Sequence, residues 1–353
     1  MKYGFVKVAA ASPQLKVADV KFNTLKIEEE IARQTKAGTE ILVFPELSLC
    51  GYTCGDLFLQ PLLIESCRAA LKEITDFTKG ISMLVFVGLP VKNAGKLYNC
   101  AAAVCDGKVL GIVPKTHIPN YSEFYELRHF ASAPMENSRV CLWDEDSAET
   151  TGAYAAFGTA LLFTDKKRPE IKVACEICED LWVPIPPSSE LAMQGANLIF
   201  NLSASNELIG KHAYLRSLIC QQSARCIAGY VYASAGFGES STDLVFAGNG
   251  IIAENGTLLR ESERFSMEEQ LVISEIDIQN LQNDRRINTS FMQGYLNHNM
   301  DNGTVVSFSL PNRTLDLTRA IDPHPFTPSG DALKERCEEI FHLSLIHISE
   351  PTR

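Results

Sequence analysis

Over the first 278 positions short apolar runs alternate with longer amphipathic stretches. Phe5 to Ala11 reads as a strand, and Asp19 then opens a helix whose inner face is spaced Val20, Thr24, Ile27 and Ile31. Gly38 stops that helix. Glu40 to Phe44 is a buried-strand run ending at Pro45-Glu46, Pro61 to Lys79 is a second helix, and Ser82 to Val87 is the next strand. Asn93-Ala-Gly95 and Asp106-Gly107 each sit between apolar runs, which marks two β-hairpins.

The second half repeats the theme. Thr159 to Phe163, Ile171 to Ile177 and Ala196 to Leu202 are strands, and Lys211 to Ala228 is a helix with Leu215, Leu218, Ile219, Gln222 and Cys226 on one face. Tyr230 to Ala235 is a strand, Asn255-Gly256 closes a last hairpin, and Leu271 to Ile278 ends the pattern. Strand–helix alternation interrupted by hairpins requires mixed sheets. An α/β fold of two such sheets faced together, with helices outside, satisfies both features. Beyond Ile278 the texture changes: residues 279–330 are polar and then proline-containing, as expected of an extended linker. Asp331 to His342 starts one more helix, with Leu333, Cys337 and Ile340 on a face. The expected organisation is therefore a domain over 1–278, a linker over 279–330 and a remnant over 331–353.

Charge narrows the function classes. The 353 residues carry 32 Lys plus Arg against 43 Asp plus Glu, a net charge of −11, which argues against general nucleic-acid binding and against docking on anionic lipid. No run of about 18 apolar residues is present, so no membrane span is expected. The N-terminus has no signal-peptide pattern, and the eleven cysteines are read as reduced thiols of a cytoplasmic protein.

Three polar residues end apolar strands: Glu46 after Ile-Leu-Val-Phe-Pro, Lys115 after Val109-Leu-Gly-Ile-Val-Pro, and Cys178 after Ile171-Lys-Val-Ala-Cys-Glu-Ile. Strand C-termini are where α/β sheets place ligands and catalytic groups. Converging there, a thiol, a carboxylate and an ammonium make an amide-cleaving set of nucleophile, proton acceptor and oxyanion donor. Taken singly, each has a plainer explanation: a turn carboxylate, a solvated lysine, a small buried thiol. Cys175 and Cys178 also form a Cys-x-x-Cys pair. Cys175 falls inside an apolar run on the side of Ile171 and Val173, and no second ligand pair exists, so neither a redox pair nor a metal is expected.

The surrounding motifs are more specific. Phe44-Pro-Glu-Leu-Ser-Leu-Cys-Gly-Tyr52, Pro114-Lys-Thr-His-Ile-Pro-Asn-Tyr-Ser-Glu-Phe-Tyr-Glu126 and Glu176-Ile-Cys-Glu-Asp-Leu-Trp182 closely resemble the three catalytic motifs of the nitrilase superfamily of carbon-nitrogen hydrolases. The variants resemble its glutaminase branch, which forms the N-terminal half of glutamine-dependent NAD⁺ synthetases. The resemblance covers about residues 1–342 and implies a four-layer αββα sandwich. It implies that Cys178 attacks the glutamine carboxamide, that Glu46 is base and then acid, and that Lys115 with the N–H after Cys178 holds the oxyanion. It further implies that Glu126 positions the substrate beside the lysine. Tyr52, Tyr121 and Phe124 would be pocket walls, and Ser205 would contact the amino-acid end of glutamine. A homo-oligomer is implied as well, with a synthetase domain normally in the same chain.

That second half carries an ATP-binding loop of the form Ser-Gly-Gly-x-Asp-Ser, whereas this chain reads Ser329-Gly330-Asp331. ATP and Mg are therefore expected only for the synthetase half, and no cofactor for these residues. Asp331 to His342 resembles the entry helix of that half. Ser344 to Arg353 resembles nothing in the family and is expected to be a foreign tail after a truncation. Two other functions stay open on the sequence: a stand-alone carbon-nitrogen hydrolase acting on another small amide, and a non-catalytic oligomeric scaffold.

Overall fold

A computed structural model of the chain describes residues 4–143, 154–296, 303–311, 316–321, 323, 324, 327, 330 and 333–349. Two units are present, residues 1–317 and residues 318–353. The first unit opens with β1 (Phe5–Ser12), β2 (Ile41–Val43), β3 (Leu84–Asn93), β4 (Lys96–Cys105), β5 (Lys108–Pro114), β6 (Ser138–Cys141) and β7 (Tyr154–Phe157). It continues with β8 (Leu161–Asp165), β9 (Lys172–Ile177), β10 (Leu198–Ser203), β11 (Gly229–Ser234), β12 (Gly250–Glu254) and β13 (Thr257–Glu261), and closes with β14 (Gln270–Asp277) and β15 (Thr304–Phe308). One sheet runs β14-β1-β2-β3-β4-β5-β7-β6 and the other β13-β12-β11-β10-β9-β8-β15.

Both sheets are mixed, as the alternation of crossovers and hairpins requires. β1, β2 and β3 pair in parallel through helical crossovers, while β3-β4-β5 is an antiparallel meander. The two hairpin turns there have positive φ at Ala94-Gly95 and Asp106-Gly107, the twist a two-residue turn needs to match its strands, and Asn255-Gly256 does the same between β12 and β13.

The alternation of side chains sorts the layers. In β1, Val6, Val8 and Ala10 enter a core shared with Ile171, Val173, Cys175 and Ile177 of the facing sheet, and Phe86 stacks on Phe200 across it. The opposite faces are covered by helices. α1 (Val20–Ala37) and α2 (Pro61–Phe77) bury Ile27, Ile31, Leu71 and Ile74 on the first sheet. α3 (Pro187–Met193) and α4 (Lys211–Cys226) bury Leu191, Leu215 and Ile219 on the second. Asp19 caps α1 by accepting from Phe22 N (3.1 Å), and Gly38 ends it at φ 76°. The architecture is the αββα sandwich.

The linker expected over 279–330 is different in its first third. α5 (Ile278–Ile287) and α6 (Thr289–Leu296) follow β14 directly, and β15 adds to the second sheet in parallel with β8. Little apolar surface holds α5: Ile278 and Leu281 are its buried side chains. The guanidinium of Arg285 ties it down instead, donating to the carbonyls of Ile227 (3.0 Å), Ala196 (2.5 Å) and Cys226 (2.7 Å). The folded unit therefore runs past the boundary expected at 278. The helix expected to start at Asp331 is α7 (Leu333–Ser349), in the second unit, where it continues beyond His342. Ser329, Asp331 and Glu350–Arg353 lie outside the described residues. No helix among the described residues is long and apolar enough to cross a membrane.

Candidate active site

The strand ends that carry Glu46, Lys115 and Cys178 meet at one edge of the sandwich, two from the first sheet and one from the second. Glu46 crosses the gap between sheets: its N–H donates to Ser203 O (3.3 Å), and its Oε2 accepts from Ala204 N (2.9 Å). Its Oε1 accepts from Lys115 Nζ (2.6 Å) and from Asn99 Nδ2 (2.6 Å), the latter inside β4. Lys115 Nζ donates also to Glu126 Oε1 (2.7 Å), which takes a second hydrogen bond from Tyr52 O–H (2.8 Å). Lys115 and Glu46 are both essentially inaccessible, at 0% and 1% exposure.

Two of the three ammonium N–H bonds of Lys115 are taken by carboxylates, leaving the third for a ligand. Burial works against that charge, but Glu126 and Glu46 outweigh it and hold the group well above the ordinary lysine range. Glu126 is pushed up to about 7: burial leads, Lys115 opposes it and Glu46 adds to it. Its second oxygen has no hydrogen-bond partner among the described residues.

Cys178 is where β9 turns into the short helical segment Cys178–Leu181, and it does so at φ 45°. A side chain in this left-handed region costs roughly 1–2 kcal/mol, so the turn is held by other bonds. Cys178 N–H donates to Asn201 Oδ1 (3.2 Å) and Ile177 N–H to Asp180 Oδ2 (3.1 Å). Asp180 also accepts from His117 N (2.8 Å), Thr116 N (3.2 Å) and His117 Nδ1 (3.0 Å). One buried carboxylate thus staples the loop after Lys115 to the turn that carries the thiol. Burial and Glu46 push the Cys178 thiol up, Lys115 pulls it back, and the N–H of Ala204, shared with Glu46, helps. The resting group is a thiol, and its reaction needs a base within reach.

A cavity of about 200 Å³ opens on Cys178, sized for a small molecule. Tyr121, Phe124 and Ser205 line it, together with Glu123, Glu179, Trp182, Asn206 and Lys211. Tyr52 and Glu126 line a neighbouring cavity of about 190 Å³, so Tyr52 reaches the lysine through Glu126 and is not a wall of the cavity on Cys178. Opposite charges face that cavity. Lys211 Nζ is held by Asn206 O (2.9 Å) and Oδ1 (2.7 Å), 5.0 Å from the Trp182 ring, and burial lowers its pKa. Glu179 is raised by burial and accepts from Tyr121 O–H (2.9 Å).

Asn99, Asp180, Asn201, Glu179 and Lys211 were not singled out from the sequence. Asn99 and Asn201 had a signal: each is a lone polar residue inside a run of apolar strand positions, where an amide is retained only if it is hydrogen-bonded.

The sandwich and the strand-end cluster define a class, the carbon-nitrogen hydrolases. The family model for carbon-nitrogen hydrolase matches residues 7–286, and the chain belongs to this family. Curated relatives are glutamine-dependent NAD(+) synthetases: that of Mycobacterium bovis is 34% identical over 100% of this chain and 51% of its own length, and that of Aquifex aeolicus 31% identical over 79% and 43%. The chain thus spans about half the length of the curated relatives it matches, and the tail from Ser344 falls inside the first of these alignments. Among solved structures, a glutamine-dependent NAD(+) synthetase from Cytophaga hutchinsonii superposes with a TM-score of 0.67 at 28% identity, over 77% of this chain and 43% of that one. A carbon-nitrogen hydrolase from Helicobacter pylori shares the fold, with a TM-score of 0.64 at 17% identity over 82% and 94%.

Proposed function

We propose that this chain hydrolyses the side-chain amide of glutamine through a thioester on Cys178, and that the ammonia serves amidation of deamido-NAD⁺ by a synthetase half that binds ATP and Mg. The observation that carries the reading is the Glu46–Lys115–Glu126 cluster buried beside a raised thiol, which itself lines a small cavity with both signs of charge on its walls. A free amino acid is a zwitterion, and Lys211 and Glu179 suit its carboxylate and ammonium.

In the reaction, Cys178 Sγ attacks the carboxamide carbon while its proton passes to Glu46 Oε2, the oxygen that accepts from Ala204 N–H. The oxyanion takes the third N–H of Lys115 and the N–H of Glu179, which stands in the first turn of the short helix and has no intrahelical partner. Glu46 returns the proton to the nitrogen as the carbon–nitrogen bond breaks, and ammonia leaves. Water, deprotonated by Glu46, then cleaves the thioester to glutamate, and the proton goes back to sulfur. The test is ammonia release across a panel of amides by the wild type and by Cys178→Ala, with mass spectrometry after a glutamine-like electrophile. Glutamine should be preferred and a single adduct should sit on Cys178. Preference for another amide would replace glutamine in this reading, and no adduct on a folded protein would remove the enzyme altogether.

A further inference from the structure

Beneath the nucleophile, on the helix-covered face of the second sheet, lies a polar row that the reaction above does not use. Glu176 of β9, Asn201 of β10 and Tyr230 of β11 stand on three neighbouring strands, on a face otherwise filled by Ile199, Tyr232, Ile219 and Leu215. All three are buried, at 1%, 0% and 0% exposure.

The donor directions in this row are forced from both ends. A backbone N–H can only donate, so the Asn201 atom facing Cys178 N must be the carbonyl oxygen, which also takes Ser203 O–H at 2.8 Å. The other Asn201 atom is then the amide nitrogen, which donates to Tyr230 Oη at 3.1 Å. The single proton of Tyr230 is left to donate to Glu176 Oε1. The second carboxylate oxygen, Oε2, faces another obligate donor, the Ser188 N–H at the start of α3 (2.8 Å). The chain therefore runs head to tail from the nucleophile's own N–H to a buried carboxylate, the arrangement in which successive hydrogen bonds strengthen one another. Both carboxyl oxygens face donors, so a proton on Glu176 would displace one of them.

We propose that Glu176 is a positioning residue for Cys178: as a carboxylate it fixes Tyr230, Tyr230 fixes the orientation of Asn201, and Asn201 holds the left-handed backbone of the nucleophile. This rests on the amide-hydrolase reading of the site. Burial pushes Glu176 up to about 7, the Tyr230 hydrogen bond pulling it down and Asp180 adding to the rise. The groups that face it are Asp180 on the nucleophile turn, Tyr230 on β11, the Ser188 N–H on α3, the Cys226 thiol on α4 and His117 on the loop after Lys115. Protonated His117 favours the carboxylate; Asp180 opposes it. Falling pH through neutrality then protonates Glu176 and loosens the row, and the thiol loses its aim without losing its substrate pocket.

The test uses alkylation of Cys178 by iodoacetamide, followed by mass spectrometry, which needs no glutamine. Tyr230→Phe removes one O–H and nothing else, and should slow alkylation and amide turnover together by about ten-fold, leaving KM near the wild-type value. Glu176→Gln never titrates. The ratio of wild-type to Glu176→Gln alkylation rates, in which the thiol's own titration cancels, should rise as pH increases from 6 to 8. A folded Tyr230→Phe protein alkylated at the wild-type rate overturns the proposal, and so does a flat ratio. The flat-or-rising ratio decides the matter if Tyr230→Phe does not fold. A wild type with the expected ratio that releases no ammonia from glutamine sinks the glutamine reading alone, whereas glutamine hydrolysis unchanged in both variants sinks the positioning role alone.

Discussion

Replacing Asp180 by Asn removes a charge and only one oxygen, yet it should be among the most damaging conservative changes in the molecule. The two oxygens of Asp180 receive three backbone N–H groups, those of Thr116, His117 and Ile177, and the ring of His117. An amide offers one acceptor atom. If that oxygen keeps Thr116 and His117, the new amide nitrogen points at Ile177 N–H and sets donor against donor. Leaving one buried N–H unsatisfied costs about 1–3 kcal/mol, and the surviving bonds lose the extra strength of a charged acceptor, so a total near 3 kcal/mol is expected. That should lower the unfolding midpoint by roughly 5 °C or more. The catalytic effect should be larger than the stability effect suggests. Asp180 sets the distance between the Lys115 loop and the Cys178 turn, and a misplacement of about 1 Å at reacting groups can cost 10²-fold in rate. Thermal denaturation and steady-state ammonia release on the same preparation read both quantities. The reasoning fails if Asp180→Asn keeps the wild-type turnover at the wild-type midpoint, because the carboxylate would then hold nothing that matters.

Lys115→Met should abolish turnover and also destabilise by about 3–5 kcal/mol, since it leaves Glu46 and Glu126 buried without their cation; denaturant titration measures the second effect. Arg168→Leu should cost a similar amount by stranding Glu40 (2.7 Å) and Asp165 (2.9 Å), yet leave kcat per folded molecule unchanged, because that cluster involves none of the site residues. Glu126 and Glu176 both titrate near 7 in the folded protein against an ordinary 4.5. A raised carboxyl pKa means the folded state binds the proton more tightly. Their contribution to stability is therefore complete below about pH 4.5 and is lost as pH rises through 7. Unfolding midpoints should show this fall between pH 5 and 8, and Glu176→Gln should remove part of it; an unchanged slope would show that Glu176 is not buried as a titrating group.

The layers were legible because apolar side chains write them. The alternation in Val6, Val8 and Ala10, and the helical spacing of Ile27 and Ile31, become the inter-sheet core and the helix–sheet contact. Strand ends were legible for the same reason, which is why Glu46, Lys115 and Cys178 stood out. What periodicity missed is held by polar contacts. α5 is secured by Arg285 reaching three carbonyls, and its sequence looks like a solvated segment. β15 is five residues at a sheet edge, set in an Asn- and Asp-rich stretch. Asp180 acts on backbone N–H groups that no pattern of side chains reports, and Asn201 shows only as a lone polar residue in an apolar run, with nothing to name the N–H that it holds. That Tyr52 lines the cavity beside Glu126, with Glu126 standing between it and Lys115, is revealed by the fold alone.

Glu46 and Lys115 belong to one sheet and Cys178 to the other, and Ser203, Ala204, the Asp180 staple and the packed side chains between the sheets fix their separation. The reacting distance therefore depends on how thick the sandwich is as well as on that staple. A methylene added or removed at Phe86, Ala103 or Phe200, remote from any ligand, moves the two sheets against each other and is registered at the thiol. Turnover in this protein should drift with mutations in its interior that leave the fold intact, which makes the inter-sheet layer a place to tune rate without touching a single polar residue of the site.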